Sequence, residues 1–310
     1  STLHPEFAHL PRKFKFAING SKEDRTVLLC HDVGIELKKN SNTNNGELTA
    51  DIYAGGGMGR TPILGSLIKQ GLPWQVLPSY LTALLRVYNR FGRRDNLYKA
   101  RIKILVKALG PEEFARQVEG EWANLHNEAK QSKDNFTPAE WERVAKHFTK
   151  PAYQKLNALS DVAILAAAPE AERAAFARWL ERNVKPHQVP GYASVILSLK
   201  PHGTVAPGDA TSAQMNAIAD LADQYSFGEL RVTHEQNLVL ADVEQTQLLN
   251  LWRAAKNHNL ALPNIGLLTD IIACPGGDFC SLANAKSLPI AKAIQERFDN
   301  LDYLFDLGDI

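Results

Sequence analysis

The chain has 310 residues, 45% hydrophobic and 22% charged, with a net charge of +1. That size and mix suit two ordinary globular domains or one large one, and the charge balance excludes a surface that binds polyanions in bulk. Three cysteines in this length exclude a disulfide scaffold and suit a reducing compartment. No run reaches about 18 apolar residues, and the start, STLHPEFAHLPRKFKF, lacks the apolar core of a signal peptide. The expectation is a cytoplasmic protein, with neither a membrane nor a nucleic acid as partner.

Residues 10–18, after a proline, predict a strand. Alternation then puts Phe14, Phe16 and Ile18 on one face with Arg12, and Lys13, Lys15 and Ala17 on the other. Two lysines on one face repel unless water or an anion lies between them, and a solvated edge is the ordinary outcome. Residues 26–30 predict a short buried strand in which Cys30 is a core thiol, and 40–46 a polar turn. Another strand, 48–54, runs into Gly55-Gly-Gly-Met-Gly-Arg60-Thr-Pro62. A dinucleotide fingerprint framed from Gly57 meets Pro62 where its third glycine belongs, and no ordinary βαβ unit follows. A glycine loop beside an arginine can instead bring backbone N–H groups up to carboxylates.

Two helices are predicted over 79–91 and 95–109, with Asp95 as N-cap and Gly110 as stop. Arg94 and Arg101, seven apart, share a helix face on that reading, with Lys99 and Lys103 nearby. Thr137-Pro-Ala-Glu140 has the form of a capping box with proline in the first turn. Residues 112–183 are otherwise helical in pattern, and about 150–188 connect two domains, closed by Pro186 and Pro190. At Gly191 the pattern changes. A strand over 192–199, a turn at 200–203, a helix from the Thr211-Ser-Ala-Gln214 capping box, strands over 229–233 and 238–241, and a helix over 244–257 make βαββα. That is a ferredoxin-like split unit lacking one strand, which should pair with a similar unit. None of the nine histidines stands in an H-x3-H spacing.

Two of the three cysteines lie in Cys274-Pro-Gly-Gly-Asp-Phe-Cys280. Pro275, Gly276 and Gly277 forbid a regular element, so the backbone must loop. Two thiolates brought toward one point suit a soft metal; two unrelated thiols in a turn are the alternative. Structural zinc favours closer spacing and two further ligands. A [4Fe-4S] cluster needs four thiolates, and only Cys30 remains.

Several segments resemble, in order along the chain, those of the sirohaem-dependent nitrite and sulfite reductases. They are Leu10-Pro-Arg-Lys-Phe-Lys15, the Gly55-Gly-Gly loop, Arg94-Asp-Asn-x-Tyr-Lys-Ala-Arg101-Ile-Lys103, Arg231-x-Thr-x-x-Gln236-Asn237, and Ala273-Cys-Pro-Gly-x-x-x-Cys280-x-Leu-Ala283. The resemblance implies an α+β sirohaem reductase fold with a ferredoxin-like βαββα half-repeat, truncated at both ends. Its parts would be a first sirohaem/[4Fe-4S] domain over 1–150, a helical connection over 151–188, a second ferredoxin-like half-domain over 189–260, and the start of a second sirohaem/[4Fe-4S] domain over 261–310. The chain starts at Ser1 without an initiator Met and ends before the C-x3-C pair that follows in the family. The expectation is therefore a fragment, inactive alone.

The resemblance also implies roles. Lys13 and Lys15 would reach the substrate anion. Arg12, Gly55, Gly56, Gly57, Arg60, Arg94 and Arg101 would meet the carboxylates of the macrocycle, and Gln236 would hydrogen-bond it. Cys274 and Cys280 would supply half of the cluster ligands. Lys13 and Lys15 should point to one side of a strand, into a cavity shared with Arg60 or Arg94. The implied cofactors are sirohaem and a [4Fe-4S] cluster, and the implied reaction is six-electron reduction of sulfite to sulfide or nitrite to ammonia. Electrons would come from ferredoxin or a flavoprotein reductase. A module that binds the macrocycle or a partner without turnover is the alternative. In the fragment the two cysteines should be free thiols on a mobile loop, followed by a helix within 282–310 whose apolar side lacks cover.

Overall fold

The computed structural model describes residues 5–39, 47–59, 61–128, 135–200, 206–281 and 283–298, with 126–128 described by backbone alone. The chain divides into two compact units, 1–149 and 150–310.

The first unit is a four-stranded sheet covered by helices. Its strands β1 (Phe16–Asn19), β2 (Val33–Lys39), β3 (Leu48–Ala54) and β4 (Ser66–Pro73) lie in that order. β1 runs parallel to β2, and the other neighbours are antiparallel. Val33 and Ile35 on β2, and Ala50, Ile52 and Ala54 on β3, bury one side. Helix α1 (Leu77–Phe91) answers with Tyr80, Ala83, Leu84, Val87 and Tyr88, a stripe at helical spacing. Helices α2 (Ile102–Leu109) and α3 (Pro111–Glu128) add Ile102, Val106, Phe114 and Val118. Thr137 caps α4 (Pro138–Ala145) by accepting from the Glu140 N–H; the Glu140 carboxylate turns to Arg143 instead of closing the box.

Three local expectations fail here, each because a side chain captures the backbone. The strand predicted over 10–18 is only Phe16–Asn19. The Lys15 N–H goes to the Asp32 carboxylate (3.0 Å), not to a neighbouring strand. Within that strand the alternation holds, with Ala17 and Asn19 buried and Phe16 and Ile18 exposed. Residues 26–30 form no strand. Asp24 accepts the N–H groups of Thr26 and Leu28, Val27 turns left-handed, and Leu28–Cys30 is a single 3-10 turn. The helix predicted from Asp95 begins at Ile102, because the Asp95 carboxylate is taken by Arg93 and Asn96 caps a separate turn at Leu97–Lys99. Arg94 and Arg101 therefore share no helix face. Gly110, at φ 85°, does stop α2.

The second unit contains the expected βαββα order: β6 (Tyr192–Leu197), α7 (Ser212–Tyr225), β7 (Arg231–Val232), β8 (Leu238–Glu244) and α8 (Leu248–Lys256). The predicted pairing of 192–199 with the hairpin strands is present, since β6 lies antiparallel to β8, which carries β7 on its other side. The Thr211–Gln214 capping box is closed from both sides. The strand missing from a split unit is supplied from upstream by β5 (Val184–Pro186), antiparallel to β6, giving the order β5-β6-β8-β7. Helices α5 (Asp161–Ala166) and α6 (Glu170–Asn183) come from the stretch expected to be a connection. They instead insert Ile164, Phe176 and Trp179 into the core formed by Val195, Leu240, Leu251 and Trp252. Helix α9 (Leu288–Arg297) follows the cysteine loop, burying Ala291 and exposing Ile290; residues 299–310 lie outside the described ones.

Candidate active site

The first unit gathers its polar residues around Asp32, whose side chain is fully buried. Arg101 pairs with it in a two-pronged geometry, Nε to Oδ1 at 3.0 Å and a terminal nitrogen to Oδ2 at 2.7 Å. Such a planar fork fixes both partners. Asp32 Oδ2 also accepts the Lys15 N–H, and the Asp32 carbonyl accepts the Gly55 N–H at 3.0 Å. One residue thus ties together the lysine segment and the entrance to α2 through its carboxylate and the glycine loop through its carbonyl.

The glycine loop is closed from the inside. Lys103, 7% exposed, donates from Nζ to the carbonyls of Gly57, Met58 and Thr61 at 3.2, 3.2 and 2.6 Å. Burial pulls its pKa below the usual lysine value, and the neighbouring Arg101 charge acts in the same direction. The Gly57 N–H donates to Ile63. Gly56 must be glycine for space, since a Cβ would sit 2.2 Å from the Leu29 carbonyl oxygen and 2.4 Å from that of His31. The N–H groups of Gly55 and Gly57 are therefore spent within the protein, contrary to the expectation that they would face carboxylates.

The arginines divide in a similar way. Arg94 donates to the carbonyls of Asn89 (2.7 Å) and His9 (3.1 Å), bracing the start of the chain against α1. Arg12 donates to the Leu97 carbonyl. Arg101 is committed to Asp32. Arg60 lies outside the described residues. Of the cavity expected for Lys13 and Lys15 with Arg60 or Arg94, the Arg94 arm is not formed, because both lysines precede β1 and Arg94 is turned to backbone; the Arg60 arm lies outside the described residues. The Lys13 and Lys15 side chains are exposed, and neither ammonium has a partner among the described residues.

In the second unit, Cys274 and Cys280 are exposed free thiols. A 3-10 turn at Gly276–Asp278 separates them, and the Cys280 N–H returns to the Gly276 carbonyl at 2.9 Å. Gly276 sits at φ 60°, where a Cβ would lie 2.6 Å from Ser287 Oγ. Ser287 Oγ donates to the Cys274 carbonyl, and the Gly277 N–H to Ala285 at 2.8 Å. Gln236 does not point its amide outward for a macrocycle. Its Nε2 donates to the Ala273 carbonyl and its Oε1 accepts the Ala273 N–H, both at 3.0 Å. Behind it, the fully buried Lys200 donates to Asp270 Oδ1 at 2.5 Å and to the Glu235 carbonyl at 2.5 Å. Asn237 joins the same carboxylate at 2.9 Å. Arg231 pairs with Glu229, and the Asn237 N–H bonds Thr233 within the hairpin. A cavity of about 290 Å³ opens beside the loop, lined in part by Pro207, Gln236, Ala273, Pro275 and Phe279.

Two thiols on a tight turn suit a soft metal, and a [4Fe-4S] cluster needs two thiolates more. Among the described residues no group of three or more His, Cys, Asp or Glu side chains stands ready for a metal. The third cysteine, Cys30, is half-buried in the first unit. The residues present therefore fit one edge of an iron–sulfur cluster and do not complete it.

One unit carries an exposed lysine segment, and the other carries two exposed thiols on a tight turn that follows the split ferredoxin-like sheet. Residues 1–126 match the nitrite and sulphite reductase 4Fe-4S domain, and residues 198–258 match the nitrite/sulfite reductase ferredoxin-like half domain. The chain belongs to the sirohaem nitrite/sulfite reductase family. Neither matched segment includes Cys274 or Cys280. Sulfite reductase (ferredoxin) 2 of Mycolicibacterium paratuberculosis is 27% identical over 284 residues, covering 91% of this chain and 42% of that protein. The chloroplastic ferredoxin–nitrite reductase of Arabidopsis thaliana is 26% identical over 301 residues, covering 96% and 43%. The chain spans less than half the length of these relatives. The solved structure of the Mycobacterium tuberculosis NirA protein matches the fold with a TM-score of 0.66 at 22% identity, over 99% of this chain and 47% of that one. No helix among the described residues is long and apolar enough to cross a membrane.

Proposed function

We propose that the chain works as part of an enzyme that reduces sulfite to sulfide or nitrite to ammonia. Six electrons would come singly from a reduced donor, ferredoxin by analogy with the relatives' names. The observation that carries the reading is the pair of exposed ammoniums at Lys13 and Lys15, without a partner among the described residues, on a segment whose Lys15 N–H is bonded to buried Asp32. Two neighbouring positive charges lower the cost of holding an oxyanion and stabilise the charge that develops as it is reduced. Lysine N–H groups can also pass protons to oxygens that leave as water.

Sirohaem and a [4Fe-4S] cluster would supply the electron transfer and the iron that binds the anion. Cys274 and Cys280 would hold one edge of the cluster. As placed, Arg12, Arg94 and Arg101 are engaged with protein partners, so a macrocycle carboxylate would have to share them. The three free thiols suit a reducing compartment, and we place the protein in the cytoplasm.

The test uses protein expressed from the complete gene, with Lys13→Met and Lys15→Met. Both positions are exposed, so stability should change by less than about 0.5 kcal/mol. Turnover of the preferred anion should fall by roughly 100-fold or more, the usual effect of losing one positioned electrostatic donor. Sulfite and nitrite assayed side by side identify the substrate. Wild-type turnover of both anions in both variants would contradict the reading.

A further inference from the structure

The reductase reading uses Cys274 and leaves unexplained why its neighbour is held so firmly. We propose that Gln236 is a positioning residue for Cys274: its amide fixes the peptide before the ligand and thereby sets the reduction potential of a cluster bound there. The proposal rests on the cluster reading above.

The geometry is specific. Both polar ends of one amide engage both polar groups of one residue, Ala273, at 3.0 Å each. Gln236 does this from a left-handed backbone at φ 60°, a conformation that favours glycine or asparagine. Neither would serve, because glycine has no amide and asparagine is one methylene too short to keep both contacts. The surroundings make room for glutamine. Gly208, at φ 89°, lies where a Cβ would come within 2.8 Å of the Gln236 Cβ. The adjacent Asn237 is anchored to the Leu199 N–H and to Asp270.

The two cysteines are consequently held in different ways. Cys274 is bracketed, with Ala273 clasped by Gln236 on one side and its own carbonyl bonded by Ser287 Oγ on the other. The backbone bonds of Cys280 stay local: its N–H returns to Gly276 and its carbonyl accepts the Ala283 N–H at 3.1 Å. A clasp that reaches from the hairpin sheet to one ligand makes that ligand's direction a property of the rigid unit, not of the loop. Cluster potentials respond to the hydrogen bonds, dipoles and solvent around the sulfurs. Releasing Ala273 frees its carbonyl and N–H dipoles next to a thiolate, and the potential must follow.

The test compares wild type, Gln236→Met and Gln236→Asn, all expressed from the complete gene. Met keeps length without polarity or charge, and Asn keeps the amide and suits the left-handed backbone. Three quantities are measured: iron per chain, the Ala273 amide exchange rate, and the cluster midpoint potential from a redox titration followed by electron paramagnetic resonance. The expected result is an Ala273 exchange rate raised about tenfold, the loss of one ordinary hydrogen bond, with a shifted potential in both variants. Faster exchange with a wild-type potential would reduce the clasp to a structural brace and overturn the proposal. Unchanged exchange would show that the clasp does not form in solution and would overturn it equally. If the Met variant loses iron, the Asn variant decides by the same criterion. A wild type that carries no cluster defeats the reductase reading itself, and the wild-type iron measurement identifies that failure separately.

Discussion

Lys200→Met is expected to destabilise the second unit by about 3–5 kcal/mol, the usual cost of orphaning one member of a buried ion pair. Lys200 is fully buried, and its ammonium bonds the Asp270 carboxylate and the carbonyls of Glu235 and Asp270. Asp270 also accepts from Asn237 and from the Gly266 N–H at 3.0 Å, so its charge is fixed by the fold and cannot turn to water. Without Lys200, a carboxylate whose side chain is 6% exposed is left without its countercharge. The double variant Lys200→Met/Asp270→Leu should recover part of the loss, since no uncompensated charge remains. Urea unfolding of the single and double variants measures both values. A loss below about 1 kcal/mol for Lys200→Met, within the range of an exposed pair, would show that the pair is hydrated in solution.

Asp32→Ala is expected to act twice. It removes the partner of Arg101, whose side chain is 17% exposed, and leaves the Lys15 N–H unbonded. Stability should fall by about 3–5 kcal/mol. Asp32→Asn should cost less, because its side-chain oxygen still accepts one hydrogen bond. The second effect is on function in protein from the complete gene. Asp32 is fully buried, so on the proposed reading it acts on the anion only through the lysine segment, whose Lys15 N–H it accepts. A displacement of about 1 Å at a positioning residue can lower turnover by roughly 100-fold. At a temperature where the Asp32→Asn variant is still folded, its turnover should fall while its cofactor content stays at the wild-type level. Wild-type turnover in that folded variant would show that the lysine segment is placed by other contacts.

The elements that were legible in the sequence are those whose signal is local. Leu48–Ala54 is a strand with the predicted bounds, because β-branched and apolar residues alternate up to a glycine stop. The βαββα order was readable from a closed capping box at Thr211 and from short apolar runs flanking a polar hairpin. What escaped was decided at a distance. β5 is three residues ending in proline, and only its pairing with β6 makes it a strand. The segments at 10–15 and 26–30 have strand-like composition, but Asp32 and Asp24 take their N–H groups.

The candidate site divides along the same line. Cys274 and Cys280 stand out by residue type, spacing and the glycines between them. Asp32 has no such signature, since its partner Arg101 is 69 residues away, and the Lys200–Asp270 pair spans 70. Lys103 looked like one more basic residue near the arginines, and only the fold reveals that it closes the glycine loop. The motif singled out Gln236 for a macrocycle, and the fold turns its amide to the Ala273 backbone.

The central claim is that the turn at 274–280 carries cluster ligands, and the most direct measurement is iron content with the visible spectrum of anaerobically purified protein from the complete gene. Wild type is predicted to show an iron–sulfur spectrum with about four cluster irons per chain. Cys274→Ser and Cys280→Ser should each lose that spectrum, and the 310-residue chain reconstituted alone should hold no stable cluster. Undiminished iron and an unchanged spectrum in both serine variants would contradict the account.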